Sequence, residues 1–299
     1  MIALLAALLA TQPSIEADPI ADLISATGEA STTNISPSEP RGCTGDFIEG
    51  GLLACNWGVP ARVTLGEQTY DSDEAYWVLI GIPRQTPALQ SYRVEIDQDG
   101  WTTLTDETRE ITQREYRLQR INGVPQSTVT PDPSTLPRRQ REYAQKQAAF
   151  RSNWDGTGFL DGFISPTEGV TTGVYGSARV YNDGAERGVH WGIDVANAVG
   201  TPVVAPAGGI VTLAEADMFY EGGLIFIDHG QGLVSAFLHL SGVSVEEGQI
   251  VEQGELIGEM GATGRSTGSH LDWRVKLRNE LYVDPELLLE MDLTALSNN

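Results

Sequence analysis

The chain has 299 residues, of which 40% are hydrophobic, and a formal net charge of −22 at pH 7. That length admits about two domains at roughly 150 residues each. So acidic a balance excludes binding to nucleic acid through phosphate contacts and adhesion to anionic lipid, both of which need basic patches, and the surplus charge reads as a solvated surface.

Residues 1–10, Met-Ile-Ala-Leu-Leu-Ala-Ala-Leu-Leu-Ala, read as the apolar core of a secretory signal, without a basic segment before it. The segment is far shorter than the about 20 apolar residues of a membrane-spanning helix. No other stretch is long enough, so the chain is expected not to be transmembrane. Residues 11–42 are rich in Ser, Thr, Pro, Ala and acids and read as a disordered spacer. Cys43 and Cys55 are the only cysteines. In an exported chain they are expected to form a disulfide; in the cytosol they would be reduced thiols.

Residues 43–122 read as a small β-sandwich-like domain. Ala61–Leu65, Tyr76–Pro83, Tyr92–Ile96 and Arg109–Arg120 each carry strand patterning, with turns at Gly66-Glu67 and Asp97 to Gly100. This part contains no histidine, and its Trp and Tyr residues lie inside strand runs, which assigns them to a core. Residues 123–155 form a linker and helix. Pro125, Pro131, Pro133 and Pro137 mark the linker, and a helix is expected over about Ser134 to Ser152 with Ser134 as its N-cap. Arg138, Arg139, Arg141 and Lys146 read as its solvated face. From Phe163 onward short strands alternate with glycine turns, which predicts an antiparallel sandwich or barrel. The fold class is therefore all-β.

The chemistry sits in three signatures. His190 and Asp194 form an H-x3-D pair, His239 ends an apolar run in Phe237-Leu238-His239-Leu240, and His270 and Asp272 lie in Ser269-His270-Leu271-Asp272-Trp273. Imidazole and carboxylate are the usual zinc ligands, and a catalytic zinc needs three of them plus an open position. Gly192 and the β-branched Val189, Ile193 and Val195 disfavour a helix. In an extended chain His190 and Asp194 share one face, as do His270 and Asp272. The fourth histidine, His229, lies in the turn Asp228-His229-Gly230 and reads as structural.

These residues resemble the lysostaphin/LytM-type zinc metallopeptidases, which cut peptide cross-links in bacterial cell walls. The likeness is strong over about 163–287, including Gly200-Thr201-Pro202 and Gly261-Ala262-Thr263-Gly264, and looser upstream, where the chain is similar to a two-domain proteobacterial subgroup. It implies a metallopeptidase-like domain over 156–292, an antiparallel sandwich or barrel of the duplicated hybrid motif type. By position it implies His190, Asp194 and Asp272 as metal ligands and His239 and His270 as the catalytic pair. The departure is Asp272, where the family pattern H-x-H has its last histidine. Aspartate keeps a zinc-competent donor, but two carboxylates let manganese or magnesium compete. The expected function is hydrolysis of peptidoglycan peptides by one divalent ion and two histidines. The expected location is outside the cytoplasm, in the periplasm or cell envelope. The alternative is a non-catalytic relative that binds murein or activates a cell-wall amidase. A lipoyl-type carrier, suggested by Gly248 to Gly258, is discounted, because the only lysine of that half, Lys276, follows a strand signature instead of occupying a tight turn.

Overall fold

Two strands near the start of the chain, Leu52–Asn56 and Trp77–Gly81, are buried along their whole length. Successive side chains on a strand point to opposite faces, so a strand buried on both must be covered twice. Leu53, Cys55, Val78 and Ile80 enter one apolar cluster with Val63, Tyr92 and Val94. The alternate residues Leu52, Ala54, Trp77 and Leu79 enter a second with Phe159, Phe237 and Trp273. This computed structural model describes residues 42–182, 184, 186–293 and 296. The expected signal core at 1–10 and the spacer over 11–41 lie outside the described residues; residue 42 opens a strand, Gly42–Thr44.

The first cluster lies between two antiparallel sheets. One orders Gly42–Thr44, Leu52–Asn56 and Trp77–Gly81; the other orders Gln68–Asp71, Ala61–Leu65, Leu89–Asp97 and Trp101–Glu110. Cys43 and Cys55 face each other in register and are joined as a disulfide. The strand pattern expected over Arg109–Arg120 is not one strand. Trp101–Glu110 ends where Ile111 turns into the core. Leu118–Ile121 is a separate strand that pairs in parallel with Ala178–Tyr181, far along the chain. Polar alternation without an apolar face could not say where one strand stopped.

The helix spans Leu136–Ala149 and is preceded by a 3-10 turn, Pro133–Thr135. Ser134 does not cap the helix, whose N-cap position is Thr135; Ser134 lies inside the 3-10 turn, which Asp132 caps, its carboxylate accepting from the Ser134 amide at 2.7 Å. Pro137 sits in the first turn, where its missing N–H costs nothing. Of the basic face expected to be solvated, Arg141 is exposed, but the other three residues are docked. Arg138 pairs with Glu142 at 2.5 Å and Asp217 at 3.2 Å, and Lys146 pairs with Glu221. The reason lies at the helix end, where Phe150 is buried against Phe226 with ring centroids 4.2 Å apart and pulls the helix onto the C-terminal sheet.

That sheet is antiparallel throughout, in the order Ile250–Val251, Gly209–Met218, Gly222–Asp228, Leu233–Val243, His270–Leu277, Gly192–Ala196, Val170–Gly173. The all-β class expected from the sequence is the one the chain adopts. No helix among the described residues is long and apolar enough to cross a membrane.

Trp77 is 4% exposed in the second cluster, whereas Trp101 is 48% exposed on an edge strand. Trp77→Ala is expected to lower the unfolding free energy by about 3–5 kcal/mol. Trp101→Ala removes only surface packing and a contact with Arg62, and is expected to cost about 1 kcal/mol or less. Urea titration of both variants checks the contrast.

Candidate active site

The strands His270–Leu277 and Gly192–Ala196 pair so that Asp272 lies directly opposite Asp194, while Leu238 of the next strand lies on the other side of Asp272. Two like charges at facing positions repel unless each is compensated. Asp194 Oδ2 is held by Arg179, and Asp272 accepts both Nε and Nη2 of Arg274, at 3.0 and 2.5 Å. Burial works to raise the Asp272 carboxyl, but Arg274, His190 and Arg179 together outweigh it and hold the group well below the usual carboxylate range. Gly173 leaves the space for the first pair: a Cβ there would stand 2.2 Å from Asp194 Oδ2.

His190 is not on the Asp194 strand. It follows the short strand Glu186–Val189 and precedes Gly192–Ala196. Its backbone N–H donates to Ser177 O and its carbonyl accepts from the Gly176 amide, both at 2.8 Å. So fixed, the ring lies between the carboxylates, with Nε2 3.3 Å from Asp194 Oδ1 and Nδ1 4.0 Å from Asp272 Oδ2. Burial lowers its pKa to about 4, so it is neutral near pH 7, the form that binds metals.

His239 reaches the same place through a break in its strand. The ladder steps from Leu238↔Leu224 to Leu240↔Gly223, leaving His239 as the extra residue of a β-bulge. Its φ of 69° is rare for a residue with a side chain, and a bulge re-aims the residue it displaces. Its Nδ1–H donates to Thr263 O at 2.9 Å, and burial lowers its pKa to about 4. His270 follows the same design, with Nδ1 2.9 Å from Gly268 O and Nε2 3.8 Å from Asp194 Oδ1. The two rings stand 4.8 Å apart. All five residues expected from the sequence are therefore gathered, and they line or adjoin a cleft of about 510 Å³.

Buried polar atoms nearly always have hydrogen-bond partners. Among the described residues, His190 Nδ1 and Nε2 and Asp194 Oδ1 are buried without one. His190, Asp194 and Asp272 each offer a donor atom within 4.8 Å of the others. One imidazole and two carboxylates are donors of the kind a divalent ion takes, so the group fits such an ion in chemistry. His229 is elsewhere: it is fully buried, with Nδ1 2.8 Å from Gly208 O and Nε2 2.8 Å from Ser235 Oγ, as expected of a structural residue. Sequence reasoning missed Arg179 and Arg274. Arg274 was findable, since it lies two residues beyond Asp272 on the same strand face; Arg179 arrives by tertiary packing alone.

Residues 188–285, a span that holds all five, match the family model described as Peptidase family M23. A solved Pseudomonas aeruginosa structure assigned to peptidase M23 is 30% identical, with a TM-score of 0.59, over 85% of this chain and 96% of that one. The chain belongs to peptidase family M23. Curated relatives include the DD-carboxypeptidase/endopeptidase Mpg of Neisseria meningitidis, 41% identical over 31% of this chain, and the peptidoglycan DD-endopeptidase ShyA of Vibrio cholerae, 39% identical over 30%. The match spans only 21% and 20% of those two proteins' own lengths.

Removing Arg274 leaves Asp272 buried and unpaired. In chelator-treated protein Arg274→Gln is expected to lower the unfolding free energy by about 3–5 kcal/mol, and the added change Asp272→Asn to restore most of it, as a double-mutant cycle reads. A second expectation concerns acid. Burial depresses the His229 pKa to about 4 from 6.5, so in that window the unfolded chain binds a proton the folded chain does not. Stability therefore falls as pH drops from 6.5 to 4, by at most about 1.4 kcal/mol per unit from this residue. His229→Gln should flatten the slope by that amount in urea titrations across the range.

Proposed function

We propose that this chain is a metal-dependent endopeptidase that hydrolyses peptide cross-links of bacterial peptidoglycan. The observation that carries the proposal is the set of partnerless buried donors on His190 and Asp194, beside Asp272, with two histidines at the same cleft. His190, Asp194 and Asp272 would hold one divalent ion, zinc in the first instance, with manganese or magnesium admitted by two carboxylates. Such an ion supplies Lewis acidity to a scissile carbonyl and to the attacking water.

The chain's own residues account for the proton movements. With its Nδ1–H committed to Thr263 O, His239 presents Nε2 as a base, and burial keeps it unprotonated near pH 7. His270 Nδ1 is likewise committed to Gly268 O, and its Nε2 lies 3.8 Å from Asp194 Oδ1 at the same cleft. We assign His239 to accept the water's proton and His270 to donate a hydrogen bond to the carbonyl oxygen as it gains charge. The peptidoglycan substrate is supported by the name of the similar protein ShyA, a peptidoglycan DD-endopeptidase. An exported, cell-envelope location is supported by the same name and by the Cys43–Cys55 disulfide.

One observation favours a second reading, a murein-binding protein without activity: both Asp272 oxygens are already engaged by Arg274. Digestion of cross-linked muropeptides by the purified protein separates the two. We expect cleavage that stops with chelator and returns with zinc. His190→Ala should lose bound metal by elemental analysis, whereas His239→Ala should keep metal and lose about 100-fold or more in rate. Binding to murein without cleavage and without bound metal would establish the second reading, that of a relative with a degenerate metal site.

A further inference from the structure

A protein of net charge −22 would be expected to present acid in its cleft, yet this cleft carries four arginines, Arg120, Arg179, Arg265 and Arg274, against Asp194, Glu221 and Asp272. The acids are all spoken for. Arg179 takes Asp194, Arg274 takes Asp272 and Lys146 takes Glu221. That leaves two arginines without a carboxylate partner among the described residues. Arg120 is exposed, but Arg265 is half-buried and held.

The hold on Arg265 has several parts. Its guanidinium carbon lies 4.9 Å from the Tyr181 ring centre and 5.1 Å from that of Tyr220. Its backbone N–H donates to Tyr220 O at 2.8 Å. The preceding Gly264 has a φ of 69° and leaves no room for a Cβ, which would stand 2.5 Å from Gly222 N. Thr263, whose carbonyl also fixes His239, is tied through Oγ1 to Leu240 O at 2.8 Å and to Gly223 N at 3.0 Å. A guanidinium against aromatic rings keeps its N–H edge for another partner, and that planar edge matches a carboxylate in two-bond geometry. Because the loop is already ordered, little conformational freedom is lost on binding.

We infer that Arg265 is the anchor for a free carboxylate of the bound peptide, and so a specificity-determining residue of the cleft. The inference rests on reading the cleft as a peptide site. Cross-linked wall peptides carry free carboxylates, and an anchor of this kind would make the protein prefer them over the same peptides blocked as carboxamides.

The test is binding, not turnover. A stem peptide with free carboxylates and its fully amidated counterpart are titrated into the full chain carrying His239→Ala, which prevents cleavage, and into the same chain with Arg265→Gln or Arg265→Lys. A preference for the carboxylate form of roughly tenfold is expected. Arg265→Gln should abolish the preference, and Arg265→Lys should keep part of it at an unchanged melting temperature. The Lys variant keeps the test decisive where the Gln variant fails to fold. Equal affinity for the two peptides, no binding of the free-carboxylate peptide, or a preference that survives Arg265→Gln would each overturn the inference. Failure of the wild-type chain to cut muropeptides, with the preference intact, would instead overturn the endopeptidase reading and leave Arg265 as a binding anchor.

Discussion

Two carboxylates forced together by strand register are the constraint around which the cleft is arranged. Asp194 and Asp272 face each other across one antiparallel pairing, both largely out of water. Register fixes this, and a slip of one residue would send each to the other face. Every other feature of the cleft floor answers that crowding. Arg179 and Arg274 each neutralise one acid from outside, Gly173 leaves room for the first of those pairs, and His190 is held between the acids by its own backbone bonds. The guanidinium pairs let the floor fold with its carboxylates ionised, and a cation then meets a site whose charge is partly balanced already. That balance is what separates this floor from a bare cluster of acids.

The same strand logic builds the core. Period-two alternation sends neighbouring residues of Trp77–Gly81 into different clusters, one shared with the N-terminal sheets and one with the C-terminal sheet. The two halves of the chain are therefore joined by shared strands and not by a loose interface. The helix Leu136–Ala149 adds a second tie, because Phe150 packs on Phe226 while Lys146 reaches Glu221.

Much of this was legible in the sequence where period and residue type agree. Alternating strands, dense glycine and the absence of long apolar helical runs gave the all-β class, and three polar signatures gave residues that do meet around one point. What could not be read has physical causes. The His239 bulge depends on a ladder between two strands, and nothing in Phe237-Leu238-His239-Leu240 announces it. Asp132 and Ser134 are both good capping residues, and the 3-10 turn Pro133–Thr135 uses Asp132 as its cap and takes Ser134 into its interior. The basic residues of the helix read as solvated because their partners Asp217 and Glu221 lie more than seventy positions away. Arg179 escaped notice for the same reason.

The short strand Leu118–Ile121 has a consequence for how the protein can be divided. It pairs in parallel with Ala178–Tyr181, and its Gln119 accepts from Arg179 Nε at 3.3 Å. Residues from before the helix thus form one wall of the cleft and brace the guanidinium that steadies Asp194. A fragment cut to the C-terminal sheet alone would keep every histidine but be missing a side of the trough. Whatever it bound would be gripped from fewer directions, so the excised piece would be a blunter instrument than the whole chain.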